Sequence, residues 1–137
     1  MDILGTAYVV DDDPIHVFGM QLLLKKIKFS KEVLVFRNGQ EAIDALLESL
    51  GKGETLPSII FLDLNMPIKD GWEFLDDFVR IPHHNREKVT IYVVSSSIYP
   101  SDEEKAKKYQ VVSNYIIKPV NEHELTQLLG NLGCLND

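Results

Sequence analysis

The sequence predicts an α/β fold, an open, doubly wound parallel sheet built from five strand–helix pairs. Three observations carry this expectation. Short apolar runs alternate with helix-period segments along the whole chain. The runs are continuous and do not alternate apolar with polar, as in strands covered by helices on both faces. Such strands are parallel and joined by right-handed crossovers. The length, 137 residues, suits one domain with one core. That domain is expected to span 1–137, with its core over about 6–132.

The elements follow in order. Ala7-Tyr8-Val9-Val10 is a β-rich run ended by Asp11, Asp12 and Asp13. Pro14 suits the first turn of a helix, with Asp13 before it as N-cap. This helix is expected to reach about Lys28, with Ile15, Phe18, Leu22 and Leu23 on one face. Val33 to Phe36 is the second strand. Asn38 caps a helix carrying Ala42, Ile43, Leu46, Leu47 and Leu50, ended by Gly51-Lys52-Gly53. Ile59 to Leu62 is the third strand, closed by Asp63. After a loop containing Pro67, Asp70 caps a helix with Trp72, Phe74, Leu75 and Phe78. Pro82 to Asn85 reads as a loop, and Val89 to Val94 as the fourth strand, followed by three serines. Asp102 starts a helix to about Tyr109, and Tyr115 to Ile117 form the fifth strand. A last helix carries Leu125, Leu128, Leu129 and Leu132.

Composition narrows the function. The chain has 14 Lys+Arg against 21 Asp+Glu, a net charge of −7, which argues against a nucleic-acid backbone as partner. Its 45% hydrophobic and 26% charged residues are those of a globular domain. No apolar run approaches the length of a membrane span, and the N-terminus lacks the basic and apolar regions of a signal peptide. The one cysteine, Cys134, excludes an internal disulfide framework. A cytoplasmic protein with no membrane partner is expected.

The chemistry collects at the carboxyl ends of the strands, where open parallel sheets bind ligands. With strand order 2-1-3-4-5, the binding crevice lies between the first and third strands. Those strands end in Asp11-Asp12 and in Asp63; the fourth ends in Ser95-Ser96-Ser97 and the fifth in Lys118-Pro119. Three neighbouring carboxylates repel one another, and a hard divalent cation with oxygen ligands relieves this. Lys118 balances a further charge and can contact a phosphoryl oxygen. A carboxylate held in line with a phosphoryl group can act as a nucleophile and become an aspartyl-phosphate. Taken singly, each acid would be a cap, Lys118 a surface lysine and the serines a loop. Their joint occurrence at strand ends is what points to a site.

The segments Val9-Val10-Asp11-Asp12, Leu62-Asp63-Leu64-Asn65-Met66-Pro67 with Asp70-Gly71, Val94-Ser95 and Tyr115-Ile116-Ile117-Lys118-Pro119 together resemble the receiver domain of two-component response regulators, the chemotaxis-regulator-like family of flavodoxin-like topology. The resemblance covers Ala7 to Leu132. It implies that Asp63 accepts a phosphoryl group from a phosphohistidine on a histidine kinase or histidine phosphotransfer protein. It implies Mg²⁺, with Mn²⁺ as an alternative, held by Asp12 and Asp63 directly, by the Asn65 backbone carbonyl, and by Asp11 mostly through water. Lys118 would contact the phosphoryl group, and the Lys118–Pro119 bond would be cis. A hydroxyl at the end of the fourth strand and Tyr115 would form the switch. The face made by the fourth helix, fifth strand and fifth helix would then contact a downstream protein, or a second copy in a homodimer. Counting back from Lys118 without gaps puts the hydroxyl at Ser96; ending the apolar strand puts it at Ser95. Ser95 is preferred, which requires one extra residue before the fifth strand. Val111-Val112-Ser113-Asn114 stands where the family has a small Gly-Ala pair.

A single-domain signalling switch is therefore expected, catalysing only its own phosphorylation and dephosphorylation. A small phosphohydrolase with Asp63 as nucleophile would place a carboxylate where Asn65 stands. A flavodoxin-like cofactor carrier would need a phosphate loop where three aspartates stand. A receiver that folds without being phosphorylated would not need the complete acid, hydroxyl and lysine set. His16, His83, His84 and His123 read as surface residues, Trp72 as packing, and Lys105, Lys107 and Lys108 as a solvated face.

Overall fold

The computed structural model describes residues 4–131. Cys134 and the predicted core residue Leu132 lie outside them. The elements are β1 (Leu4–Val10), α1 (Pro14–Lys26), β2 (Ser30–Phe36), α2 (Gly39–Gly51), β3 (Ile59–Leu62), α3 (Gly71–Phe78), α4 (His83–Arg86), β4 (Thr90–Ser95), α5 (Pro100–Lys107), β5 (Val112–Ile117) and α6 (Glu122–Asn131). The strands form one sheet in the order β2-β1-β3-β4-β5, and every neighbouring pair is parallel. This is the doubly wound arrangement that the continuous apolar runs predict.

Successive strand residues point to opposite faces, and the two cores follow from that. Ala7, Val9, Phe61, Tyr92 and Ile116 pack with Met20 and Leu24 of α1 and with Leu125 and Leu128 of α6. Tyr8, Val10, Ile60, Leu62 and Ile91 pack with Ala42, Ile43 and Leu46 of α2 and with Phe74, Leu75 and Phe78 of α3. A smaller cluster of Leu64, Val93, Ala106 and Tyr115 lies where α5 meets the sheet.

The caps form as the sequence indicates. Asp13 accepts from the N–H groups of Ile15 and His16, and Asn38 from that of Glu41. Asp70 and Glu73 bond reciprocally in a capping box.

Several expectations need correction. The face of α1 with Ile15, Phe18 and Leu22 points to solvent, at 83%, 63% and 54% exposure. Met20 and Leu24 are buried instead, and of the predicted face Leu23 alone packs on the core. The helix is apolar on both sides, so periodicity could not choose between them. It stops at Lys26, because Lys28 turns left-handed (φ 53°) and Phe29 N–H returns to the Leu24 carbonyl. In α2, Leu47 is 52% exposed. Pro82 opens a single helical turn, α4, where a loop was expected. The predicted fourth and fifth helices are thus α5 and α6. Pro100 starts α5, and Asp102 sits in its first turn, where it accepts a 2.6 Å hydrogen bond from the Ser97 hydroxyl rather than capping the helix. Finally, β5 begins at Val112, with polar Ser113 and Asn114 inside it. Ile91 pairs with Val112 but Tyr92 with Asn114, so β5 carries one extra residue as a bulge. The Ser95 register requires an extra residue of this kind.

Two glycines let backbones meet. A Cβ on Gly71 would lie 2.4 Å from the Asp63 carbonyl oxygen, and one on Gly39 would lie 2.8 Å from that of Lys69. Gly71→Ala is therefore expected to destabilise the fold by about 2 kcal/mol or more. Gly19 lies inside α1 with open space around it, so Gly19→Ala is expected to stabilise by about 0.5–1 kcal/mol. Urea denaturation of the two variants reads both signs.

Candidate functional site

The sheet register builds the site. Val10 pairs with Leu62, which puts the residues that follow, Asp11 and Asp63, side by side. The ladder continues past both: Asp63 N–H bonds to the Val10 carbonyl and Asp11 N–H to the Phe36 carbonyl, each at 2.9 Å. Lys118 N–H bonds to the Ser95 carbonyl at 2.8 Å, which ties the end of β5 to the end of β4. The Lys118–Pro119 peptide bond is cis.

Three carboxylates meet here. Oxygens of Asp11, Asp12 and Asp63 all lie within 4.8 Å of one another. Asp11 and Asp63 are buried, and Asp12 is exposed. The Lys118 ammonium stands 3.0 Å from Asp11 Oδ2 and 3.6 Å from Asp63 Oδ2. The Asn65 N–H reaches Asp63 Oδ1 at 3.5 Å.

The two buried acids have opposite electrostatic fates. Burial pushes Asp11 up, but hydrogen bonds from His16, from the Asp13 N–H and from Lys118 outweigh it and hold the carboxyl below its ordinary value. Asp63 has fewer donors. Burial, followed by the charge of Asp11, pushes it up to about 6 against the pull of Lys118. Burial works to lower Lys118, yet Asp11 and Asp63 raise it overall, so it remains an ammonium. An all-oxygen set of crowded carboxylates, one of them open to solvent, fits a hard divalent cation.

Of the predicted residues, Asp11, Asp12, Asp63 and Lys118 converge. Ser95 is fully buried and accepts from the Ser97 N–H at 3.0 Å, whereas Ser96 is exposed and borders a groove beside Lys118. Tyr115 is buried, and its hydroxyl donates to the Ser97 carbonyl at 3.0 Å. Ser97 therefore links both predicted switch residues, and through its own hydroxyl it links them to α5.

His16, expected at the surface, does more, and Trp72 packs as the sequence indicates. His16 is only 11% exposed and its Nδ1 lies 2.8 Å from Asp11 Oδ2. The signal was its position on the first turn of a helix that starts directly after the acids. Trp72 stacks against Tyr109 of the α5–β5 connection at 6.3 Å, with the Lys105 ammonium 4.3 Å from its ring centroid. His83, His84 and His123 are exposed, as are Lys105, Lys107 and Lys108.

Comparisons with known proteins agree with this arrangement. A family model described as the response regulator receiver domain matches residues 7–130. The crystal structure of a two component response regulator from Cytophaga hutchinsonii superposes with a TM-score of 0.85 at 31% identity, over 99% of this chain and 100% of that one. The phosphorylated cyanobacterial phytochrome response regulator RcpA superposes with a TM-score of 0.73 at 28% identity, over 93% of this chain and 90% of its own. Response regulator Rcp1 of Synechocystis sp. is 28% identical over 124 residues, 88% of this chain and 81% of its own.

The raised Asp63 pKa makes stability depend on pH. Its folded value, about 6, exceeds its ordinary 3.8, so folding favours the protonated form. The cost of the ionised form is absent below about pH 4 and complete above about pH 7. With chelator present, Asp63→Asn is expected to stabilise by roughly 1–3 kcal/mol at pH 7.5 and by little at pH 4. Denaturation at the two pH values checks this, and an equal gain at both would contradict it.

Proposed function

The chain belongs to the response regulator receiver family, and from that premise we propose that Asp63 accepts a phosphoryl group from the phosphohistidine of a histidine kinase or phosphotransfer protein in the cytoplasm. The observation that carries this reading is Asp63 itself. It is buried at the end of β3, beside an ammonium and two further carboxylates.

In the step, an ionised Asp63 oxygen attacks phosphorus in line. The bond from phosphorus to the donor imidazole nitrogen breaks, the imidazole takes up a proton, and an aspartyl-phosphate forms. The raised pKa of Asp63 still leaves it mostly ionised near neutral pH. Asp11, Asp12, Asp63 and the Asn65 carbonyl would hold Mg²⁺ or Mn²⁺, which supplies charge neutralisation for the phosphoryl oxygens. A Mn²⁺-bound form of Rcp1 is known. Lys118 exchanges its contact with Asp63 for one with the incoming phosphoryl oxygen, a positioned point charge.

The donor would rest on α1. Its exposed Ile15 and Leu22 line a groove of about 680 Å³ that runs to Lys118 and Val120, and Phe18 is exposed on the same helix. A contiguous apolar surface of this kind beside a reacting group suits a protein partner. For output, Ser95 turns toward the phosphoryl group and releases the Ser97 N–H. Ser97 also holds Tyr115 and Asp102, so the change reaches α5 and the α5–β5–α6 face, where a downstream protein or a second copy docks.

Incubation with acetyl phosphate and Mg²⁺ is expected to add one phosphoryl group, seen by intact mass. Asp63→Ala should give no adduct, and Lys118→Ala should slow formation by about a hundredfold. An unmodified wild type, or an undiminished adduct on Asp63→Ala, would end this reading. On α1, Phe18→Lys is expected to slow transfer from the cognate histidine kinase by about tenfold and to change the acetyl phosphate rate little. Equal slowing with both donors would remove α1 as the donor's seat.

A further inference from the structure

We propose that His16 is a positioning residue for cation binding, holding the Asp11 carboxylate in its binding orientation. The proposal deepens the reading of Asp11, Asp12 and Asp63 as a divalent-cation site and rests on it.

The argument starts from what each Asp11 oxygen touches. Oδ1 accepts from the Asp13 N–H at 2.9 Å. Oδ2 accepts from His16 Nδ1 at 2.8 Å and from the Lys118 ammonium at 3.0 Å. Oδ2 is thus filled by two donors, and the free acceptor capacity of the group lies on Oδ1.

The two donors to Oδ2 differ in permanence. Lys118 is shared with Asp63 and is drawn toward the phosphoryl group in the proposed reaction. A long, flexible side chain that changes partners cannot fix a carboxylate through that change. His16 can. Its backbone is set by the cap of α1, because Asp13 Oδ1 accepts from the N–H groups of Ile15 and His16. Asp13 in turn donates its own N–H to Asp11 Oδ1. The bonds close a ring from Asp11 to Asp13, to His16 and back to Asp11.

The ring nitrogen on the far side gives a second indication. His16 Nε2 is buried with no hydrogen-bond partner among the described residues. Burying a polar atom unpaired is unfavourable, so the imidazole is not placed for the sake of that edge. Its polar contact is Nδ1 with Asp11. Residues that orient a metal-binding carboxylate in this way typically change metal affinity by about 10- to 100-fold when removed.

The test is calorimetric titration of metal-free protein with Mn²⁺, using wild type, His16→Phe, His16→Asn and Asp12→Ala. Phe fills the space without a donor, and the Asn amide places a donor near the position of Nδ1. The expected result is Kd about tenfold weaker for His16→Phe and within about threefold of wild type for His16→Asn. Thermal melts establish that the variants are folded, and His16→Leu replaces His16→Phe if the larger ring is not accommodated. Unchanged or tighter binding by His16→Phe, or binding by His16→Asn as weak as by His16→Phe, overturns the positioning role and leaves the metal site standing. A wild type that does not bind Mn²⁺, or an Asp12→Ala that binds as well as wild type, overturns the metal site and the proposal with it.

Discussion

The repulsion among three carboxylates at one sheet edge is the constraint around which the rest of this molecule is arranged. Two of the three, Asp11 and Asp63, are nearly excluded from solvent, where like charges are least screened. The protein does not remove the conflict; it divides it unequally. Asp11 receives donors from His16, Asp13 and Lys118 and stays readily ionised. Asp63 receives one long backbone contact and a share of Lys118, and burial, followed by the charge of Asp11, raises its pKa to about 6. The uncompensated cost of burial and repulsion therefore sits on the side chain proposed to react. A divalent cation and a phosphoryl group both change the charge at that point, which gives each of them leverage over the fold.

Holding such a cluster requires a rigid frame, and the parallel ladder provides it. The backbone hydrogen bonds of Asp11, Asp63 and Lys118 continue the strands before them, so these three side chains start from fixed positions. The close approach of Gly71 to the Asp63 carbonyl, and of Gly39 to Lys69, locks the loop after β3 onto its neighbours. Beneath it, two apolar layers clamp the sheet from both faces. By contrast, the loop from β4 to α5 is held largely through Ser97, whose N–H, carbonyl and hydroxyl each take a different partner. The side of the site meant to stay still is bound by many backbone contacts, and the side proposed to move is bound by few polar ones.

Much of the fold was legible in the sequence because its signals are local. The run Ile59 to Leu62 is β3 to the residue, since a strand buried on both faces must be apolar throughout. Asp13, Asn38 and Asp70 were readable as caps because capping depends on a side chain and the N–H groups two or three residues ahead. The doubly wound arrangement followed from the same runs, and it brings Asp11, Asp12, Asp63 and Lys118 together as expected.

What the sequence left undecided depends on contacts distant along the chain. The helix α1 has apolar residues on two sides, and only its docking against β1, β3 and α6 decides that Met20 and Leu24 are buried while Ile15, Phe18 and Leu22 face outward. Ser113 and Asn114 look like loop residues, yet pairing with β4 draws them into β5 and introduces the bulge that sets its register. His16 reads as a surface residue until the end of β1 is placed beneath the first turn of α1, where its ring meets Asp11. Local composition fixes where strands, helices and caps lie, because those energies act over a few residues. Which face is buried, which register holds and which side chain touches the acids are settled only by the packing of the whole chain, where one helix can turn either way without changing its own hydrogen bonds.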